Sequence, residues 1–192
     1  MQARGFITQA SYRVITERDG SRRPVVYLYG RLEDDATFLV RDDRQRPHFY
    51  IRAADLTRAQ AMGAPTVVSV DRRTFDGAPV VRLEVDVPGD VPAVRERLHA
   101  AGIETFEADV RFAVRYLIER RIKAGCLIEG EATASEAVSW VFVNPTLRPA
   151  DVSAGGADLP ALRRPQPAPC RSGGRACCRR PISATGRRAP AP

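Results

Sequence analysis

Hydrophobic periodicity runs through the first 149 residues of this 192-residue chain and then stops. From Ala150 to Pro192, nine Ala, seven Pro, five Gly and eight Arg fill most positions, and no aromatic residue occurs. Such a segment cannot bury enough apolar surface to offset its ordering entropy. The sequence therefore assigns 150–192 to a disordered Arg/Pro/Ala/Gly-rich tail and leaves 1–149 to form the core. At roughly 100 to 200 residues per domain, that body is one domain, and two large domains are excluded.

The same break governs how the charge is read. The chain carries +7, but the tail holds eight Arg and two Asp, so the body is left with +1. A basic tail on a neutral body fits weak electrostatic contact with DNA better than a built basic groove. Only Lys123 among the 30 basic residues is lysine, a bias that GC-rich coding explains. No apolar run approaches the roughly 18 residues of a membrane span, and the opening MQARGFITQASYRV lacks the apolar stretch of a secretory signal. The expectation is a cytoplasmic protein with no membrane partner. Cys126, Cys170, Cys177 and Cys178 lack the paired short spacings of structural zinc and read as free thiols.

Within the body, Phe6 to Thr16, Val25 to Leu32 and Thr37 to Arg41 are short segments rich in β-branched and aromatic residues, separated by polar turns. They read as a β-meander. A strand at His48 to Arg52, a helix at Ala53 to Met62, strands at Thr66 to Val70 and Val80 to Val87, a helix opened by Asp90 and stopped by Gly102, and a strand at Ile103 to Phe106 follow. This order is the ferredoxin-like βαββαβ unit. Val114, Leu117, Ile118 and Arg121 recur at helical spacing, predicting a helix from Arg111 to Ile122; Cys126 to Glu131 and Val138 to Val143 then read as a β-hairpin. The fold class is thus α+β, a meander plus a βαββαβ unit, then a helix and a hairpin.

No nucleotide-cradling glycine loop, H-E-x-x-H pair or triad spacing occurs, and neither catalytic nor metal-binding residues are assigned. Glu33-Asp34-Asp35 and Asp42-Asp43 fall among Arg31, Arg41 and Arg44 and read as turn charges. The βαββαβ unit offers one binding surface, since modules of this arrangement stack bases on the two central strands. Alternation puts Phe49, Ile51, Val81, Leu83 and Val85 in the core and His48, Tyr50 and Arg82 on the opposite, open face. Those three are the candidate nucleic-acid contacts. A competing reading is a free-standing nucleic-acid-binding protein that works through its basic tail.

The stretch TFEADVRFAVRYLIERRIKAGCLIEGE, Thr105 to Glu131, resembles the end of the N-terminal domain of family B DNA polymerases, particularly the bacterial polymerase II type. Glu107, Asp109 and Arg111, then Arg115 and Tyr116, then Glu119 and Arg120 match that pattern. GFITQASYRV and NPTLRPADV match its first strand and its approach to the exonuclease, so the resemblance covers Gly5 to Val152. It implies a non-catalytic scaffold and nucleic-acid platform for DNA replication or repair synthesis, in which the seven motif residues are structural. The exonuclease and polymerase domains are its neighbours in the same chain. Magnesium belongs to the full-length family and not to this segment, so no cofactor is expected here. Where relatives continue into an Asp-Ile-Glu strand whose carboxylates hold metal ions, this chain reads SAGGADLPALRRPQPAP.

A frameshift in GC-rich coding sequence gives this kind of switch. The expectation is that another frame downstream of the Val152 codon encodes an apolar strand with Asp-Ile-Glu. Sequencing the gene through that codon checks it, and closed alternative frames would contradict it.

Overall fold

The computed structural model describes residues 1–150; the assigned tail beyond Ala150, with Cys170, Cys177 and Cys178, lies outside the described residues. Two sheets carry the architecture. The first begins with a hairpin of long strands, β1 (Gln2–Thr16) and β2 (Arg22–Leu32), continued by β3 (Thr37–Asp42). Polar turns set its register: Gly20 takes a φ of 83°, and the Asp19 carboxylate accepts hydrogen bonds from the Ser21 N–H and hydroxyl.

The second sheet is the expected βαββαβ unit. It comprises β4 (His48–Arg52), a helical turn leading to α1 (Leu56–Ala61), β5 (Thr66–Arg73), β6 (Pro79–Glu84), α2 (Val91–Ala100) and β7 (Thr105–Phe106). The spatial order β5-β6-β4-β7 puts the first and third strands of the unit in the centre, all pairs antiparallel. Phe49, Ile51, Val81, Leu83 and Val85 pack against Ala59, Val94, Leu98 and Ile103, as alternation along the strands requires. Asp90 stands at the α2 entrance but makes no capping bond. A preceding helical turn, Pro88–Asp90, already leads the chain in, and the carboxylate pairs with Arg22 at 3.3 Å instead.

After the unit come α3 (Phe112–Glu119), β8 (Gly125–Glu129), β9 (Ala132–Thr133), β10 (Trp140–Val143) and β11 (Thr146–Pro149). All four strands return to the first sheet, whose order is β11-β8-β1-β2-β3-β10-β9. The hairpin in this region is β9 with β10. The strand containing Cys126 pairs with β1, while β10 runs parallel to β3 on the far side. Strand propensity locates these segments, but their partners lie about a hundred residues away, where local pattern carries no information.

The expected helix is present, but its buried face differs from its apolar spacing. Phe112, Ala113, Arg115 and Tyr116 are buried, whereas Val114 and Ile118 are exposed. The reason is its position: α3 lies between the two sheets, so two polar-bearing faces turn inward and a third, apolar one faces solvent.

The core of the large sheet joins Val26, Leu28, Phe38, Val40, Cys126, Ile128 and Phe142 to Phe112 and Tyr116 of α3. Burial pushes the Cys126 thiol up to about 12, so it behaves as a small apolar side chain. Phe38 fits because it faces two glycines. A Cβ on Gly5 would sit 2.7 Å from its ring, and one on Gly30 would meet both that ring and the Phe6 carbonyl.

Gly30→Ala is therefore expected to cost about 1–3 kcal/mol through overpacking. A urea titration should show a lower midpoint at unchanged slope. An unchanged midpoint would mean that the sheet relaxes freely around Phe38.

Candidate nucleic-acid interface

Residues three and four apart share a helix face, and α3 uses that rule twice. Arg115 and Glu119 face the βαββαβ sheet; Tyr116 and Arg120 face β3 and the segment that follows it. The Arg115 guanidinium, almost wholly buried, donates to the Glu107 carboxylate at 2.7 Å and to the Glu107 carbonyl at 2.5 Å. Glu107 presents that carbonyl from a left-handed conformation, φ 59°. Glu119 sits 2.8 Å from His48 Nε2 and accepts from Gln45 at 2.6 Å.

On the other face the Tyr116 hydroxyl donates to Asp42 at 2.7 Å, and the Arg120 guanidinium lies 3.6 Å from the Tyr116 ring centroid. Asp42 has no exposed surface, yet it also receives the Arg44 guanidinium at 2.6 and 3.0 Å and the Arg44 N–H at 2.9 Å. Arg44 in turn donates to the Pro145 carbonyl at 2.6 Å, which ties in the chain before β11. Together the two faces of α3 latch one sheet to the other.

These contacts set the protonation states. Burial raises the Asp42 pKa, but the hydrogen bonds from Arg44 and Tyr116 together outweigh it and hold the carboxyl below its ordinary value. Burial likewise raises Glu119, while His48 and Gln45 bring it down to about 2. The Tyr116 phenol is pushed well above the usual tyrosine range by burial and by the carboxylate it serves. Each buried carboxylate is thus ionised and fully engaged.

His48, Tyr50 and Arg82 do share one sheet face. The rings of His48 and Tyr50 are 5.7 Å apart at 82°, and Tyr50 pairs with Arg82 across β4 and β6. That face is not open. His48 and Tyr50 are both 4 % exposed because α3 covers them. Arg72 donates to the Tyr50 hydroxyl at 2.9 Å, and at 4 % exposure the ring has no open face for a base to stack on. Arg82 pairs with Glu84 at 2.7 Å. Alternation along a strand finds the face, but not an element that returns from sixty residues downstream to cover it.

Of the seven motif residues, Glu107, Arg115, Tyr116, Glu119 and Arg120 serve this latch. Asp109 and Arg111 remain exposed, and both line a cleft of about 550 Å³ between β1, the entrance of α2 and the entrance of α3. Its walls include Tyr12, Pro47, Val91, Pro92 and Phe112, with Tyr12 set edge-on to Phe112 at 5.5 Å. Sequence reasoning missed this set. Its one visible signal is the pair of prolines in VPGDVP, which by themselves read only as a helix entrance.

The carboxylates read as turn charges divide. Asp35 pairs with Arg31, Asp34 accepts the Ala36 N–H and Asp43 pairs with Arg23, whereas Asp42 is no turn charge but is wholly buried at the end of β3 because Tyr116 and Arg44 satisfy it there. Among the described residues no group of three or more His, Cys, Asp or Glu side chains is arranged to hold a metal ion. No helix there is long and apolar enough to cross a membrane.

Two outcomes follow from the latch. Tyr116→Phe leaves Asp42 without its buried hydroxyl and should cost about 1.5–3 kcal/mol of stability, read from denaturant midpoints. Glu119 titrates lower in the fold than the ordinary 4.5, so its stabilisation is complete above that value and is lost as pH falls toward about 2. Glu119→Gln should flatten the fall of Tm across that window. Identical acid profiles for variant and wild type would show that the His48 pair contributes nothing.

No family model matches the chain. Among known proteins it is similar to the DNA polymerase of Thermococcus kodakarensis, 34% identical over 122 residues and 55% of this chain. The DNA polymerase of Thermococcus sp. strain 9oN-7 is 32% identical over 114 residues, 51% of this chain. The chain spans about 7% and 14% of those two relatives. A solved structure, the family B DNA polymerase of the hyperthermophilic archaeon Pyrobaculum calidifontis, superimposes with a TM-score of 0.59 at 25% identity. The match covers 77% of this chain and 21% of that one. Over about half its length, then, the chain is homologous to archaeal family B DNA polymerases, and its α+β body has the fold of a segment of such an enzyme.

Proposed function

We propose that this chain is the non-catalytic N-terminal portion of a polymerase II-type DNA-directed DNA polymerase. It serves replication or repair synthesis as a scaffold and nucleic-acid platform beside the exonuclease and polymerase domains. The observation that carries the reading is the fate of the shared motif. Five of its seven residues are consumed in joining two sheets, and their carboxylates lie in ion pairs or hydrogen bonds that leave no room for a metal pair. The bacterial subclass rests on the Thr105 to Glu131 stretch. The magnesium of the full-length family finds no fitting donor set among the described residues.

With the βαββαβ face covered by α3, we assign nucleic-acid contact to the cleft. Its size and its aromatic and proline walls suit one planar base, and Arg111 at its lip suits a phosphate. Asp109 opposes the phosphate, which keeps binding weak. The competing reading, binding through the basic tail alone, falls on residues outside the described ones and gains no support from the body.

The full chain, incubated with primed DNA and magnesium or manganese, should neither extend nor shorten the primer. Its affinity for single strands should fall about fivefold or more in Tyr12→Ala, the range that loss of one stacking aromatic gives. Metal-dependent release of nucleotides that survives repurification would overturn the non-catalytic reading. Wild-type affinity in Tyr12→Ala would remove the cleft from it.

A further inference from the structure

The large sheet has a second face, turned away from α3, and its composition differs from the rest of the body. Strand register places Ser11, Tyr27, Arg41 and Val143 in one row across β1, β2, β3 and β10. Gln9, Tyr29, Leu39 and Val141 form the next row, and Phe6 and Arg31 the one beyond. Arg13 flanks the first row from β1. None of these residues belongs to the apolar core or to the partly buried shell around it, and among the described residues no element packs over them. Phe6 and Val143 are exposed, while Tyr27, Tyr29 and Leu39 are half-buried by their own neighbours.

The charge on this face is only partly compensated: Arg23 pairs there with Glu17 and Asp43, and Arg31 with Asp35. Arg4, Arg13 and Arg41 have no carboxylate within ion-pair distance among the described residues. Instead, Arg13 and Arg41 reach toward the Tyr27 ring from the two adjacent strands, each 5.9 Å from its centroid. On a body with a net charge of only +1, three free guanidinium groups among three aromatic rings on one open sheet form a concentrated feature.

We propose that this outer face binds single-stranded nucleic acid, with Tyr27 as the stacking centre and Arg13 and Arg41 as its phosphate clamps. Stacked bases need π-faces spaced along a surface, and the backbone needs cations beside them; Phe6, Tyr27 and Tyr29 supply the first and Arg4, Arg13 and Arg41 the second. A duplex hides its base faces and gains only the cationic part of the surface. An apolar protein partner would leave the three guanidinium groups desolvated and unpaired, which charge complementarity disfavours. The site shares only Ser11 with the cleft, since β1 sends alternate residues, Tyr12 and Arg13, to opposite sides of the sheet. It names a second surface for the platform of the proposed function and rests on that reading for its biological context.

The test is fluorescence anisotropy with the full chain, a labelled oligothymidylate of about 16 nucleotides and a duplex of equal length. The basic segment beyond residue 150 is present in every variant, so its contribution cancels. Tyr27→Ala should weaken single-strand binding about fivefold or more and leave duplex binding within about twofold, while Tyr27→Phe keeps wild-type affinity. The double variant Arg13→Gln with Arg41→Gln should reduce the slope of log affinity against log salt by about 1.4 for the single strand, as loss of two phosphate contacts requires. Unchanged Tm in these variants shows that the sheet is intact. Single-strand affinity within about twofold of wild type in all of them would overturn the outer face. If Tyr12→Ala alone weakened binding, the platform reading would stand with the cleft as its only surface. No single-strand binding by the wild-type chain would overturn both, and a dimer dissolved by Tyr27→Ala would assign the face to self-association.

Discussion

One helix of eight residues holds the body together, and it does so with charged and polar groups. Because successive residues of α3 turn by about 100°, Arg115 with Glu119 and Tyr116 with Arg120 make two faces that point at different sheets. Each face ends on a group that is costly to bury alone: the Arg115 guanidinium, the Asp42 carboxylate. Asp42 is met by Arg44 and Tyr116, and Arg115 by the carboxylate and carbonyl of Glu107, so removing a partner leaves a charge short of hydrogen bonds in a dry setting. The βαββαβ unit and the large sheet have separate apolar cores, and much of what fixes them to each other passes through this helix.

That arrangement explains what is legible in the sequence. Strands and helices are, because alternation along β1, β2, β4 and β6 and the Val94 and Leu98 stripe follow local geometry. The long-range partners are not: β8 to β1, β10 to β3, and α3 over His48 and Tyr50 depend on packing that no local period encodes. The inward face of α3 is hidden because an apolar reading favours Val114 and Ile118, while the residues that turn inward include an arginine and a glutamate. The family resemblance implies structural roles for the motif, and five of its seven residues lie in the latch, although its spacing alone says nothing about their partners.

The surfaces left over follow from the same economy of charge. Some arginine–carboxylate pairs build the interior, as Arg115 with Glu107 does, and others tie exposed turns, as Arg31 with Asp35 does. Asp109 and Arg111 at the cleft, and Arg13 and Arg41 around Tyr27, are among the charged groups that enter no ion pair among the described residues. The two surfaces lie on opposite sides of β1. A strand passing from the cleft to the outer face would go around the edge of one sheet, as the proposed platform requires.

The central claim is that α3 couples the two sheets into one cooperative unit, and native-state hydrogen exchange reads this directly. Amides of β2 in the large sheet, of β4 and β6 in the small sheet, and of α3 should open with a common free energy in the full chain. Arg115→Met should separate them, with the small sheet opening first. Small-sheet amides that already exchange in the wild type at a clearly lower free energy than β2, unaffected by that substitution, would contradict the account.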